Sequence, residues 1–124
     1  MPDSSAIYLD HASTTPLRSD VLEAMRPWLT EYHGNPTSLH RSGRDARRAI
    51  DHARDQVAAL LNADPCEIIF TSGGTEANNL ALRGISKSGD HLLTTTIEHH
   101  SVLHTAQALE KNAGVKLTIA PVAP

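Results

Sequence analysis

The sequence predicts an α/β fold with a mainly parallel, open sheet flanked by helices. From residue 68 onward, short β-branched and aromatic runs alternate with segments of helical periodicity, and the connections are short. Strands that alternate with helices in this way are joined by right-handed crossovers and lie parallel. A Gly-Gly pair at positions 73 and 74, between a predicted strand and a predicted helix, supports the same fold class.

The first 67 residues are predicted to be mainly helical. Residues 7–9 form a short strand-like run, and apolar residues at helical spacing predict a helix over 17–32 that Pro27 should kink or end. A second amphipathic helix is predicted over 42–62. Its apolar face comprises Ala46, Ala49, Ile50, Ala53, Val57, Leu60 and Leu61.

Three strands are predicted in the rest of the chain, at 68–71, 91–96 and 115–120. A helix should start near Thr75 and another should span 101–112. Three strands make only an incomplete open sheet, and the last would leave an uncovered edge, which is an aggregation liability. We therefore expect this architecture to be part of a larger one.

Composition and charge exclude several classes of protein. A net charge of −3 lacks the broad basic field of nucleic-acid-binding proteins. The arginines between positions 41 and 54 alternate with aspartates, which predicts a solvated helix face. We expect no signal peptide and no membrane-spanning segment. Cys66 is the only cysteine, so no intramolecular disulfide can form, and a cytoplasmic location is predicted.

The turn at residues 72–76 (Ser-Gly-Gly-Thr-Glu) suits an anion. Glycines leave backbone N–H groups unobstructed, and the first turn of a helix has unpaired N–H donors and a partial positive charge. Thr75 adds a hydroxyl donor. The alternative is a tight turn in which Ser72 or Thr75 only caps the helix. The pattern is neither a nucleotide P-loop nor a Gly-x-Gly-x-x-Gly motif.

Histidines and the single cysteine are further candidate functional groups. His100 and His104 stand at i and i+4, a spacing that can place two metal ligands on one helix face. No Asp, Glu or Cys in a ligand pattern completes that pair, so we predict no metal site. Cys66 is predicted to be a half-buried, inert thiol.

Four motifs, taken together, are similar to those of a known family. They occur in the family's order and cover nearly the whole chain: YLDHASTTP (8–16), GNPTS (34–38), IFTSGGTEANNL (69–80) and EHHSV (98–102). On these motifs the sequence resembles the NifS/IscS-like cysteine desulfurases, which are class V aminotransferases among the fold-type I pyridoxal-phosphate enzymes. The resemblance implies the incomplete, N-terminal portion of such a fold.

The resemblance also implies a cofactor, pyridoxal 5′-phosphate, and residues that bind it. Gly74 and Thr75 match the pair that holds the phosphate, and His99 matches the histidine that lies over the pyridine ring. His99 also follows a predicted strand, and open α/β sheets bind ligands at that end of their strands. Domain boundaries follow as an N-terminal arm over 1–16 and part of the cofactor-binding domain over 17–124.

The family's activity converts L-cysteine to L-alanine and transfers sulfur to an acceptor protein for iron–sulfur cluster or thio-cofactor assembly. Its members are homodimers, and His40 and Arg41 match a segment near the dimer interface. The imine-forming lysine, the aspartate at the ring nitrogen, the substrate arginine and the nucleophilic cysteine lie C-terminal to the region matched. No catalytic residue is therefore assigned. Three hypotheses remain: a fragment inactive alone, a half-enzyme with a separate remainder, or a non-catalytic binding or oligomerisation module.

Overall fold

The computed structural model describes residues 7–123. Within that range the chain forms two compact units, the first ending at Ile68 and the second beginning at Ile69. The first unit contains two helices and a short 3-10 turn at Pro65–Glu67; the second contains two helices and two strands. In chain order these are α1 (Ser19–Thr30), α2 (Arg41–Leu61), α3 (Gly74–Ile85), β1 (His91–Thr95), α4 (His100–Ala113) and β2 (Lys116–Ala120).

Helix α1 runs through its proline. Pro27 has no N–H to donate, yet the helix continues to Thr30, and the backbone N–H of Glu31 donates to the Pro27 carbonyl at 2.8 Å. Pro27 therefore does not end the helix. Of the apolar residues predicted at helical spacing, Val21, Leu22, Met25 and Leu29 lie in α1 and remain 40–70% exposed. The fifth, Tyr32, lies beyond the end of the helix and is 57% exposed.

Helix α2 confirms the amphipathic segment predicted over 42–62. His40 caps it through Nδ1, which accepts the backbone N–H of Gly43 at 3.3 Å, and the helix ends at Asn62 in the left-handed conformation. The predicted apolar face is partly buried from Ala46 to Val57. Its last two members depart from the prediction, because Leu60 and Leu61 are 84% and 64% exposed.

The arginine-rich side of α2 is a solvated face at Arg47 and Arg48, as its charge pattern predicts, but not at Arg54, whose side chain is 27% exposed and donates through Nε to the Ile68 carbonyl at 3.2 Å. Arg47 pairs with Asp51 at 3.0 Å, and Arg48 pairs with Asp45. These arginine side chains remain 61% and 77% exposed, so their pairs contribute little to stability.

A tight loop precedes α2 and packs against its first turn. The Asn35 side-chain oxygen accepts both the backbone N–H and the hydroxyl of Thr37, at 2.9 and 2.8 Å. A Cβ added at Gly43 would lie 2.6 Å from the Asn35 carbonyl oxygen and 2.8 Å from the Ser38 Cβ. The loop therefore approaches α2 so closely that position 43 accommodates only glycine.

The second unit confirms the parallel crossover. Strands β1 and β2 pair in parallel from His91↔Lys116 to Thr95↔Ala120, and α4 connects them. Helix α4 ends at Gly114, whose φ of +69° favours glycine. The buried side chains of this unit come mainly from α4 and the residues beside it: Ser101, Thr105, Ala106, Leu109 and Val115.

Two predicted strands are wrong. Residues 7–9 form no strand, and Ile7 and Leu9 are 84% and 85% exposed. The run at 68–71 is extended at Ile68 (φ −93°, ψ 120°) but belongs to no strand, because the sheet in the described residues consists of β1 and β2 alone. An apolar extended run becomes a strand only where a partner backbone completes its hydrogen bonds.

Cys66 also differs from its prediction. It lies in the 3-10 turn at Pro65–Glu67 and its thiol is exposed rather than half-buried. The neighbouring residues form a capping box that turns the chain sharply here, since the Glu67 carboxylate accepts the Asp64 N–H at 2.8 Å. Among residues 7–123, no helix has both the length and the apolar character needed to cross a bilayer.

Candidate cofactor site

The Gly-Gly turn opens helix α3 as predicted. Gly73 is the N-cap and Gly74 is the first helical residue. The first hydrogen bond of the helix runs from Ala77 N–H to the Gly73 carbonyl at 3.0 Å. Within residues 7–123, the N–H groups of Gly74, Thr75 and Glu76 have no acceptor. A Cβ at either glycine would meet nothing within 4 Å, so the backbone here is open on its Cβ side.

The Glu76 side chain, in the first turn of α3, is hydrogen-bonded to Ser72, the residue before the two glycines. One oxygen of its carboxylate accepts both the Ser72 hydroxyl (2.6 Å) and the Ser72 backbone N–H (2.7 Å). These two donors lower the pKa of Glu76, the hydroxyl contributing more than the backbone. The carboxylate thereby holds the residue before the glycines and leaves the three N–H donors free.

His99 lies just beyond the carboxyl end of β1 and is the N-cap of α4. Its Nδ1 accepts the backbone N–H of Ser101 at 3.1 Å and lies 2.8 Å from the Ser101 hydroxyl oxygen. The imidazole is thus fixed through one ring nitrogen to the first turn of α4.

Thr75 and His99 line the same cleft, which has a volume of about 360 Å³. The structure therefore places two of the predicted site residues, Thr75 and His99, at one cleft, whereas Gly74 is not among the residues that line it. Six further residues line the cleft: Asn79, Arg83, His100, Ser101, His104 and Thr105.

Several of these residues were not singled out from the sequence. Thr75, Asn79 and Arg83 repeat at i, i+4 and i+8, and that spacing on a helix identifies them as one face. The Asn79 amide donates to the Thr75 carbonyl at 3.0 Å, and its oxygen accepts the Arg83 Nε at 3.2 Å. Ser101 and Thr105 have the same four-residue spacing on α4.

His100 and His104 stack in this cleft, with ring centroids 4.9 Å apart and planes inclined by 27°. The helical spacing therefore places both rings on one side of α4, as the sequence indicated. Across residues 7–123, no group of three or more His, Cys, Asp or Glu side chains lies close enough to hold a metal ion.

The start of α3 and the cleft beside it together suit a ligand with an anionic end and a flat ring, although of residues 74–76 only Thr75 lines the cleft. Three free N–H groups at the start of α3 suit an anion, because they combine hydrogen-bond donors with the positive end of the helix dipole. An imidazole fixed through one nitrogen presents a flat face on which an aromatic ring can stack.

The family described as aminotransferase class-V matches residues 7–124, and the chain belongs to that family. Its relatives include cysteine desulfurases. The chain is 50% identical over 120 residues to cysteine desulfurase IscS of Dictyoglomus turgidum, covering 94% of this chain and 30% of that protein. It is 48% identical over 121 residues to the mitochondrial cysteine desulfurase of Drosophila melanogaster, covering 94% and 26%.

Solved structures agree with these relatives. The apo cysteine desulfurase from Thermococcus onnurineus matches with a TM-score of 0.75 and 34% identity over 91% of this chain and 29% of that one. A NifS-like protein matches with a TM-score of 0.76 and 37% identity over 89% and 31%. A third match, at 27% identity and a TM-score of 0.62, covers 83% of this chain and 26% of a mutant that carries glycine covalently linked to its pyridoxal-phosphate cofactor.

The chain therefore spans about 30% of the length of the relatives it matches, and it corresponds to their N-terminal part. The predicted fold class is confirmed: helices flank a small parallel sheet, as in the matching part of the cysteine desulfurase structures.

Proposed function

We propose that this chain supplies the phosphate-binding turn and the ring-contacting histidine of a pyridoxal-phosphate-dependent cysteine desulfurase. The observation that carries this proposal is the shared cleft: Thr75 at the start of α3 and His99 at the start of α4 face one space. Family membership supports the choice of ligand.

Gly74 and Thr75 would hold the cofactor phosphate. The backbone N–H groups of residues 74–76 are free, and the phosphate would accept them where the helix dipole favours negative charge. A helix N-terminus contributes about 0.3–1 kcal/mol to an exposed anion and up to ~2 kcal/mol to a partly buried one. Charged hydrogen bonds contribute about 1.5–3 kcal/mol each.

His99 would lie against the pyridine ring. Stacking between aromatic rings contributes about 0.5–1.5 kcal/mol beyond area burial. When bound, pyridoxal phosphate supplies an electron sink for the carbanion formed at the substrate carbon. His99 would present its second ring nitrogen beside that substrate, since its Nδ1 is bonded to Ser101 and its Nε2 has no partner within residues 7–123.

We infer that the complete activity uses L-cysteine, releases L-alanine and passes sulfur to an acceptor protein, in a homodimer, and that these 124 residues are inactive alone. Two alternatives make different predictions. A half-enzyme would release sulfide only when the C-terminal part of a desulfurase is added. A non-catalytic module would be dimeric and would not respond to the cofactor.

The isolated chain is expected to release no sulfide from L-cysteine above the rate of free pyridoxal phosphate. The phosphate turn and His99 are present, but no lysine in the chain matches the family's imine-forming position. The remaining contacts amount to a few kcal/mol, which corresponds to a dissociation constant of roughly a millimolar. Sulfide assay and borohydride trapping of any imine test this. Sulfide above the control, or one specifically labelled lysine, would show that the chain is sufficient.

His99→Ala is expected to weaken binding of pyridoxal phosphate by roughly 2- to 12-fold, which is the loss of 0.5–1.5 kcal/mol of stacking. His100→Ala should have a much smaller effect, because the resemblance selects His99 for the ring, although both histidines line the cleft. NMR titration of the labelled chain with pyridoxal phosphate gives both dissociation constants. Equal losses in the two variants would refute the assignment of His99.

A further inference from the structure

A chain of hydrogen bonds connects α3 to His99. The Asn78 side-chain amide nitrogen lies 2.8 Å from the Ser101 hydroxyl oxygen, and that oxygen lies 2.8 Å from His99 Nδ1. The Ser101 backbone N–H also donates to Nδ1, at 3.1 Å. Ser101 is 7% exposed, so water has little access to compete for these bonds.

One group, the Ser101 backbone N–H, determines which atom donates and which accepts in each of these hydrogen bonds. A backbone N–H can only donate, so His99 Nδ1 must carry its lone pair. The Ser101 hydroxyl then donates to Nδ1, and its oxygen is left to accept a proton from the Asn78 amide. In the neutral imidazole the remaining proton is therefore on Nε2, the nitrogen that is not bonded to α4.

We propose that Asn78 and the Ser101 hydroxyl are positioning groups that reinforce the Ser101 backbone N–H in holding His99 in its Nε2–H tautomer, Asn78 by turning that hydroxyl so that it donates to Nδ1. Since the cofactor is what the ring would face, the catalytic consequence rests on the proposed function. The tautomer itself is a property of the ligand-free chain.

Neighbouring Asn79 provides a matched comparison. Its oxygen accepts the hydroxyl of Thr105, which is 3% exposed, at 2.9 Å, so it connects α3 to α4 in the same way. Neither Asn79 nor Thr105 is hydrogen-bonded to His99. Both asparagines thus connect the two helices, but only Asn78 is hydrogen-bonded to a residue that contacts the His99 imidazole.

The test is the tautomer of His99 in the 15N-labelled 124-residue chain, measured by imidazole nitrogen shifts at about pH 9, well above the ordinary histidine pKa of about 6.5. Asn78→Asp replaces a donor with an acceptor of the same shape. The Ser101 proton should turn to the new carboxylate, so that the Ser101 oxygen favours a proton on Nδ1 and only the Ser101 backbone N–H still opposes it. We expect the Nδ1–H population to rise several-fold.

Three controls separate this effect from a general disturbance. Asn79→Asp adds the same charge one residue away and should leave the His99 tautomer unchanged. The Asn78→Asp effect should disappear in combination with Ser101→Ala and persist in combination with Ser101→Thr, which retains the hydroxyl. An unchanged tautomer in Asn78→Asp, an equal shift in Asn79→Asp, or an effect that survives Ser101→Ala would overturn the proposal.

Ser101→Ala serves alone if the aspartate variant does not fold. Its Nδ1–H population should rise, because only the backbone N–H of residue 101 then donates to Nδ1, and retention of the wild-type ratio would refute the proposal. Addition of pyridoxal phosphate to the wild-type chain distinguishes the two levels of inference. If the His99 signals do not move while the Asn78→Asp switch occurs, the cofactor proposal fails and the positioning role stands.

Discussion

Gly74→Pro is expected to reduce the affinity for pyridoxal phosphate by roughly 10- to 150-fold, the equivalent of 1.5–3 kcal/mol. Gly74 is the first residue of α3, where proline is well tolerated because its fixed φ suits the helix and no intrahelical N–H bond is lost. The change therefore removes one free N–H donor at the proposed phosphate position while it preserves the helix. Titration of the labelled chain, followed through the amides of residues 75–77, measures the loss.

Gly74→Ala is the matched control. It keeps the N–H donor and adds a Cβ that meets nothing within 4 Å. Its affinity should remain much closer to that of the wild type than to that of the proline variant. If the two variants bind equally, the backbone N–H of position 74 does not hold the phosphate, and the anchor must be sought elsewhere in the cleft.

Gly43→Ala is expected to lower the free energy of unfolding of the first unit by about 1–3 kcal/mol or more. The added Cβ would be 2.6 Å from the Asn35 carbonyl oxygen and 2.8 Å from the Ser38 Cβ, so the backbone of the loop must move. That movement would also weaken the cap at the start of α2, where Gly43 N–H donates to His40. Urea unfolding, followed by residue-specific NMR signals of α2, gives the change.

Gly84→Ala tests whether this cost is steric. Gly84 lies inside α3, and a Cβ there meets no atom within 4 Å. The substitution should stabilise the chain by about 0.4–1 kcal/mol, because alanine has less conformational entropy to lose on folding and a higher helix propensity. A loss at Gly84 similar to that at Gly43 would point to a general intolerance of alanine.

Local signals in the sequence predicted the helices and the crossover well. The apolar spacing of α2 and the turn residues at 73 and 74 act over a few residues, so both were located to within about a residue. The effect of Pro27 on α1 was harder to predict, because the helix continues past this proline to its C-terminal end at Thr30. The exposure of Leu60 and Leu61 depends on what lies against the last turn of α2, which periodicity does not reveal.

The strand at 68–71 was mispredicted because a strand is defined by its neighbour. Ile68 has the extended backbone that its residue type favours, but β1 and β2 pair with each other and do not include it. The site shows the same division between local and non-local information. Family resemblance selected Thr75 and His99, while the bond from Asn78 to Ser101 spans 23 residues and no local pattern marks it.

The in-phase register of the two strands determines where the polypeptide leaves the sheet. Thr95 is paired with Ala120, and the N–H of Thr96 still donates to the Ala120 carbonyl at 3.1 Å. The segment after β2 and the short loop that leads to His99 thus leave the sheet side by side, at the carboxyl ends of the two strands. A fluorophore or spin label attached at Val122 would therefore be a local reporter on the histidine's loop, installed without altering any residue that lines the cleft.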